Sequence, residues 1–202
     1  MNNYKLYSAK GSGANIIELL LEMAAVPYDI VELAWEDLTK SEYKAVNPLG
    51  QVPTLVLPDG TIMTESLAIG IYLSEKYQMN LTPTNNPNFL RWVVFMVASY
   101  YPTFTFGDHP ENWVKNSEAA KELREKTDDA RKKMILQLEN NVSAGPWFLG
   151  ETKSLIDIYF SFIMSWRPGS EWFELHCPKI IRIANVIRAT PEFKKVAERN
   201  RD

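Results

Sequence analysis

A change in hydrophobic period constrains this chain more than any single motif. From Tyr4 to Lys76 the pattern alternates between strand and helix spacing, and beyond Asn88 only helix spacing remains. Tyr4 to Ser8 reads as a short strand. After the loop Ala9 to Gly13, the residues Ile16, Ile17, Leu19, Leu20, Met23 and Ala24 recur at helical spacing, and Pro27 ends that helix. Tyr28 to Leu33 mixes apolar and acidic residues as a half-buried strand does, completing a βαβ unit. A polar stretch with a weaker helical pattern follows. Thr54 to Leu57 and Thr61 to Met63 then flank Pro58-Asp59-Gly60, the turn signal of an antiparallel hairpin. Glu65 to Lys76 sets Leu67, Ala68, Ile71 and Tyr72 on one helical face, so the order is β, α, β, α, β, β, α.

Tyr77 to Pro87 is polar and rich in proline and asparagine, as a linker is. This divides the chain into an α/β domain over residues 1–78 and an all-helical domain over 88–202, with 79–87 between them. Helical patterns in the second domain run from Asn88 to about Phe106, Ser117 to about Asn141, Leu155 to Ser165, and Pro178 to about Arg199 with a break near Pro191. One helix start is written plainly: Ser154 precedes Asp157 by three residues, a capping box with aspartate in place of glutamate or glutamine.

Charge and composition remove several function classes. Twenty-two basic against 25 acidic residues give a net charge of -3, with no basic run to neutralise a phosphate backbone, so nucleic acid is not an expected partner. The single cysteine, Cys177, has no internal disulfide partner, and two histidines, His109 and His176, are too few for a conventional zinc site. A reducing, cytoplasmic setting and no bound metal are expected. The first residues lack the apolar core of a signal peptide, and the uncharged stretch from Trp92 to Gly107 is too short to span a bilayer and is interrupted by Pro102, so no membrane partner is expected either.

The chemistry concentrates in Asn47-Pro48-Leu49-Gly50-Gln51-Val52-Pro53-Thr54 and in Glu65-Ser66. Pro53 supplies no backbone donor at the entrance to a strand; in a turn with a cis bond it leaves the Val52 amide and carbonyl facing an extended ligand, which is strand-like recognition of a peptide. Glu65 and Ser66 stand where a helix begins, and a helix amino terminus attracts a carboxylate through its unpaired amides and dipole.

Through NPLGQVPTL, the PDG hairpin, TES before a helix and the Ser154 to Asp157 capping box, the chain resembles the cytosolic glutathione transferase superfamily over essentially its whole length. The resemblance implies a thioredoxin-like first domain, a helical second domain, and a homodimer that takes glutathione as co-substrate. It implies that Val52 pairs with the cysteinyl part of glutathione beside a cis Pro53, that Glu65 and Ser66 hold the γ-glutamyl end, and that Gln51 contacts the glycyl part or its backbone. The implied reaction is attack by the glutathione thiolate on an electrophile. A thiol with a pKa of about 8.5 is only a few per cent ionised at neutral pH, so the protein must stabilise the anion.

The position that does this in other family members is altered here. Gly13 stands where cysteine-type bacterial members carry cysteine, and Gly11 falls near the theta-type serine. The remaining donors are ranked Ser12, then Asn15, then Tyr7. In the helical domain Tyr101, Phe104, Trp166 and Arg167 are the candidates for a second-substrate pocket, apolar and aromatic with one cation beside it. Three functions follow from the resemblance: conjugation of glutathione to a small hydrophobic electrophile in a detoxifying role, glutathione-dependent disulfide reduction or thiol lysis, and a non-catalytic glutathione-binding or interaction module.

Overall fold

The computed structural model describes residues 3–200. The chain forms two compact units, one of residues 3–82 together with 188–200 and one of residues Pro83–Ile187.

The first unit is built on a four-stranded sheet of order β2-β1-β3-β4, from β1 (Tyr4–Ser8), β2 (Tyr28–Glu32), β3 (Thr54–Val56) and β4 (Ile62–Met63). The crossover through α1 (Ala14–Met23) makes β1 and β2 parallel, with Leu6 opposite Ile30. β3 runs antiparallel to both β1 and β4. The turn between β3 and β4 closes as its sequence requires: Gly60 takes φ +90°, and the Asp59 carboxylate accepts the Thr61 amide at 2.9 Å. Between β2 and β3 lie a 3-10 turn (Trp35–Thr39) and the short α2 (Ser41–Lys44), the weak helical pattern of the sequence.

Every residue of α1 from Ala14 to Leu21 is buried, because the helix packs on β1, on α3 (Ser66–Lys76) and on the last helix, α10 (Pro191–Arg199). Leu6, Ile16, Ile17, Leu20, Leu55, Ile69 and Leu73 form the core they share. The return of α10 to this unit differs from a single cut at residues 79–87, which counts the last helix with the second domain.

The second unit is all helical. α4 (Pro87–Phe95) starts on Asn86, whose side chain accepts the Asn88 amide at 2.9 Å. It runs through a π-helical turn (Met96–Tyr100) into α5 (Pro102–Gly107), a widening that sequence periodicity does not mark. A 3-10 turn (Pro110–Asn112) leads to the long α6 (Ser117–Asn140), capped by Asn116. Wholly buried α7 (Leu155–Ile163) follows, then α8 (Ser170–His176), absent from the sequence reading, and α9 (Pro178–Arg188). The Glu139 carboxylate accepts the Lys179 and Ile180 amides at 3.0 and 2.9 Å, capping α9 from a distant helix.

Candidate functional site

Strand direction gathers the sequence candidates of the first unit at one end of the sheet. Tyr7 at the end of β1 stands opposite Thr54 at the start of β3, and Leu55 stands opposite Met63 at the end of β4. The loop leaving β1, the turn entering β3 and the amino terminus of α3 therefore emerge together.

The turn entering β3 is held from inside. The Gln51 carbonyl accepts hydrogen bonds from the Tyr43 hydroxyl at 2.5 Å, the Asn47 amide at 2.8 Å and the Thr54 hydroxyl at 3.3 Å. Tyr43 and Asn47 also reach Thr54 Oγ1, at 2.9 and 3.1 Å, and all three side chains are buried. Such a satisfied buried network fixes one geometry for the chain around it. That chain is Val52-Pro53, whose peptide bond is cis. Among the described residues, nothing hydrogen-bonds to the Val52 amide or carbonyl. An unpaired backbone donor and acceptor side by side on a fixed turn form an edge to which an extended ligand adds as a strand. Asn47 and Thr54 lie inside the Asn47 to Thr54 motif, although the sequence alone marks neither as a brace for the turn, and nothing local marks Tyr43.

At the start of α3, Glu65 holds φ +63°, ψ +108°, an uncommon conformation for a residue with a side chain. Conformations of this kind cost roughly 1–3 kcal/mol and gather at ligand sites. Ser66 is buried at the first helical position, and Glu65 itself is exposed.

In the loop after β1, Ser12 is 7% exposed, and its hydroxyl oxygen accepts the Ala14 amide at 3.2 Å, which leaves the hydroxyl proton available to an acceptor outside the loop. Asn15 is equally buried, and its side-chain carbonyl oxygen has no hydrogen-bond partner among the described residues. Tyr7 is half-buried, with its ring 5.5 Å from that of Tyr43, so it also walls the turn network. Gly11 has φ +72°, which explains glycine there; Gly13 has φ -63°, which any residue adopts. A hollow of about 530 Å³ lies on the β2 side of the loop, lined in part by Lys10, Gly11, Trp35 and Asn200, and does not include Val52, Pro53, Glu65 or Ser66.

In the second unit the three aromatic candidates form one cluster, and the fourth candidate, Arg167, pairs with Asp128. Tyr101 lies 6.2 Å from Phe104 and 5.8 Å from Trp166, and Phe104 lies 5.4 Å from Trp166. The guanidinium of the fully buried Arg131 sits 3.8 Å from the Phe104 ring centre and donates to the Thr103 hydroxyl and carbonyl at 3.1 and 2.8 Å. Asp128 links this arginine to the candidate one: its Oδ1 accepts from Arg131 at 3.1 Å, and its Oδ2 accepts from Arg167. The Tyr101 hydroxyl is buried without a partner among the described residues, and burial raises its pKa well above the ordinary tyrosine range.

The protein's own thiol is not a nucleophile. Cys177 is fully buried, and burial pushes its pKa up to about 12, so the sulfur stays protonated at neutral pH. Among the described residues no group of three histidine, cysteine or acidic side chains is placed to hold a metal ion, and no helix is long and apolar enough to cross a membrane.

Residues 14–76 match the family model described as glutathione S-transferase, N-terminal domain. The uncharacterised GST-like protein YncG of Escherichia coli K12 is 35% identical over 202 residues, covering 97% of this chain and 98% of that one. The chain belongs to the cytosolic glutathione transferase superfamily. Glutathione S-transferase stcT of Emericella nidulans is 30% identical, over 70% of this chain and 71% of its own length. Among solved structures, a glutathione transferase homologue from Sulfitobacter with bound glutathione superposes with a TM-score of 0.88 at 26% identity, covering 98% of this chain and 99% of that one. This glutathione transferase relative therefore has the thioredoxin-like sheet unit and helical unit of the superfamily.

Proposed function

We propose that the protein binds glutathione at the common end of β1, β3 and β4 and conjugates its thiolate to a small hydrophobic electrophile. The observation that carries this reading is the unengaged Val52 backbone on a turn fixed by Tyr43, Asn47 and Thr54. In the proposal that backbone pairs with the cysteinyl part of glutathione beside Pro53. The γ-glutamyl carboxylate docks at Ser66 and the amino terminus of α3, while Glu65 receives the ammonium group. Gln51 contacts the glycyl end. The glutathione-bound relative supports the choice of ligand.

With Cys177 buried, the reacting sulfur is that of glutathione, and Ser12 is the first candidate to donate to it. Asn15 is the second and Tyr7 the third. The aromatic cluster of Tyr101, Phe104 and Trp166, with Arg167, forms the surface for the electrophile. A cytoplasmic, detoxifying homodimer is the corollary, to be read by sedimentation.

Retention on immobilised glutathione, with release by free glutathione, tests the binding step. Wild type is expected to be retained, and combined Glu65→Ala and Ser66→Ala substitution to weaken affinity at least about tenfold, the scale of one lost hydrogen bond to a charged group. Absence of retention overturns the reading. Retention without turnover of aryl halides or mixed disulfides supports the non-catalytic alternative, and turnover of mixed disulfides alone supports the reductase.

A further inference from the structure

The Gln51 carbonyl and the Val52 amide belong to one peptide group, which joins the buried network behind the turn to the open edge in front of it. The bond between these two residues is trans, since among the described residues only Val52-Pro53 and Arg167-Pro168 are cis. In a planar trans peptide the carbonyl and the N–H point in opposite directions. A carbonyl held inward therefore sends the Val52 N–H outward, to the side where no described residue meets it.

A directed chain of donors holds that carbonyl inward. Tyr43 has one hydroxyl proton, and the 2.5 Å contact with the Gln51 carbonyl takes it. The Thr54 proton faces the Tyr43 oxygen at 2.9 Å and the Gln51 carbonyl at 3.3 Å, and the shorter contact assigns it to Tyr43. The two Asn47 amide protons go to the Thr54 oxygen at 3.1 Å and to the Gln51 carbonyl at 2.8 Å. The chain thus runs from Asn47 through Thr54 and Tyr43 and ends on Gln51. Hydrogen bonds in such a chain polarise one another, and a polarised carbonyl makes the N–H of its own peptide group a stronger donor. Burial raises the Tyr43 pKa, so the hydroxyl keeps the proton that the chain needs. Tyr43 is the buried residue of the otherwise exposed α2, and its own carbonyl accepts the Val46 and Asn47 amides at 2.8 and 2.9 Å.

We propose that Tyr43 is a positioning residue: its hydroxyl aims and strengthens the Val52 N–H through the Gln51–Val52 peptide group, and so sets the affinity for the backbone of glutathione without touching it. The inference rests on the glutathione reading above and adds the residue that acts from behind its peptide-binding edge.

S-methylglutathione tests it, because this ligand keeps the peptide backbone of glutathione and has no thiol to ionise. Tyr43→Phe keeps the ring that packs 5.5 Å from that of Tyr7 and removes only the hydroxyl. Its dissociation constant for S-methylglutathione, measured by calorimetry, is expected to rise roughly three- to tenfold, the scale of one hydrogen bond between neutral groups. The KM for glutathione should rise by the same factor with kcat little changed, as for binding lost equally from ground and transition states. Thr54→Val, which keeps the shape but not the hydroxyl, should bind like Tyr43→Phe, and Thr54→Ser, which keeps the hydroxyl, like wild type. A merely structural tyrosine would lower the urea midpoint and leave the affinity of the folded protein unchanged, and that result overturns the inference. Equal losses with Thr54→Ser and Thr54→Val overturn it as well, since packing and not the hydroxyl would then matter. If wild type itself fails to bind S-methylglutathione, the glutathione reading falls and takes the positioning role with it; if wild type binds and both hydroxyl-deleting variants bind equally well, only the positioning role falls.

Discussion

A single hydroxyl and a single missing methyl bear on the glutathione site proposed for the first unit. Ser12 Oγ uses a lone pair on the Ala14 amide, so its proton is the part free to meet sulfur. Ser12→Ala is expected to lower kcat/KM for an aryl halide about tenfold and to raise the pKa of bound glutathione by about one unit, followed through thiolate absorbance. A larger loss with Asn15→Ala and none with Ser12→Ala would transfer the role to Asn15. Gly50 and Gly11 both hold positive φ, yet a side chain meets different surroundings at each. A Cβ at Gly50 falls 2.5 Å from the Leu38 carbonyl oxygen, a backbone atom, whereas one at Gly11 meets nothing within 4 Å. Gly11→Ala should cost about 1 kcal/mol in chemical denaturation, the left-handed penalty alone. Gly50→Ala should cost more, about 2–4 kcal/mol, and weaken glutathione retention because the turn between Asn47 and Thr54 is displaced. The motif containing Gly50 is legible in sequence; the carbonyl against it, and the hold of Tyr43 on Gln51, depend on contacts that only the folded chain makes.

Helices and turns whose signals lie within a few residues were legible in advance, and α7 is the clearest. The Asp157 carboxylate accepts the Ser154 amide at 2.7 Å, the Ser154 hydroxyl at 3.1 Å and the Phe148 amide at 2.8 Å, with both Ser154 and Asp157 fully buried. Spacing announces the bond from the Ser154 amide; the bonds from the Ser154 hydroxyl and from the Phe148 amide, nine residues away, it does not. Ser154→Ala therefore removes one of three donors and should cost about 1 kcal/mol. Asp157→Ala strands two buried amides and should cost about 3 kcal/mol or more, while retention on glutathione persists. Urea melts that show equal losses would contradict this ordering. The elements missed from sequence lack such local marks. α8 follows Pro168-Gly169 and buries Phe173 alone, too little for a periodic signal, and the π turn at Met96–Tyr100 adds a backbone hydrogen-bond shift without altering the apolar pattern.

At the scale of the chain, hydrogen bonds and ion pairs join the first long helix to the last, more than 170 residues away among the described residues. Glu18 on α1 is 1% exposed, pairs with Arg199 and accepts from Asn200 at 3.3 Å, while Lys195 holds Glu22 at 2.8 Å and Arg199 reaches the Tyr28 hydroxyl at 2.8 Å. Periodicity assigns α10 a helix but not a neighbour, and for that reason its place beside α1 was hidden. Burial pushes the Glu18 pKa from 4.5 up to about 7, against the pull of Arg199 and Asn200. A carboxyl whose folded pKa is raised binds its proton more tightly in the native state. Its contribution to stability is thus fully present below about pH 4.5 and is lost as pH rises through about 7, up to about 3 kcal/mol in all. Asp157 shifts the same way, to about 6 through burial, and overlaps that window. Comparing wild type with Glu18→Gln cancels the Asp157 contribution, because both proteins carry it. The stability of wild type relative to Glu18→Gln should therefore fall between pH 5 and pH 8 in urea denaturation. Parallel pH profiles for the two proteins would mean that Glu18 is ionised throughout, with its pairing to Arg199 outweighing the cost of burial.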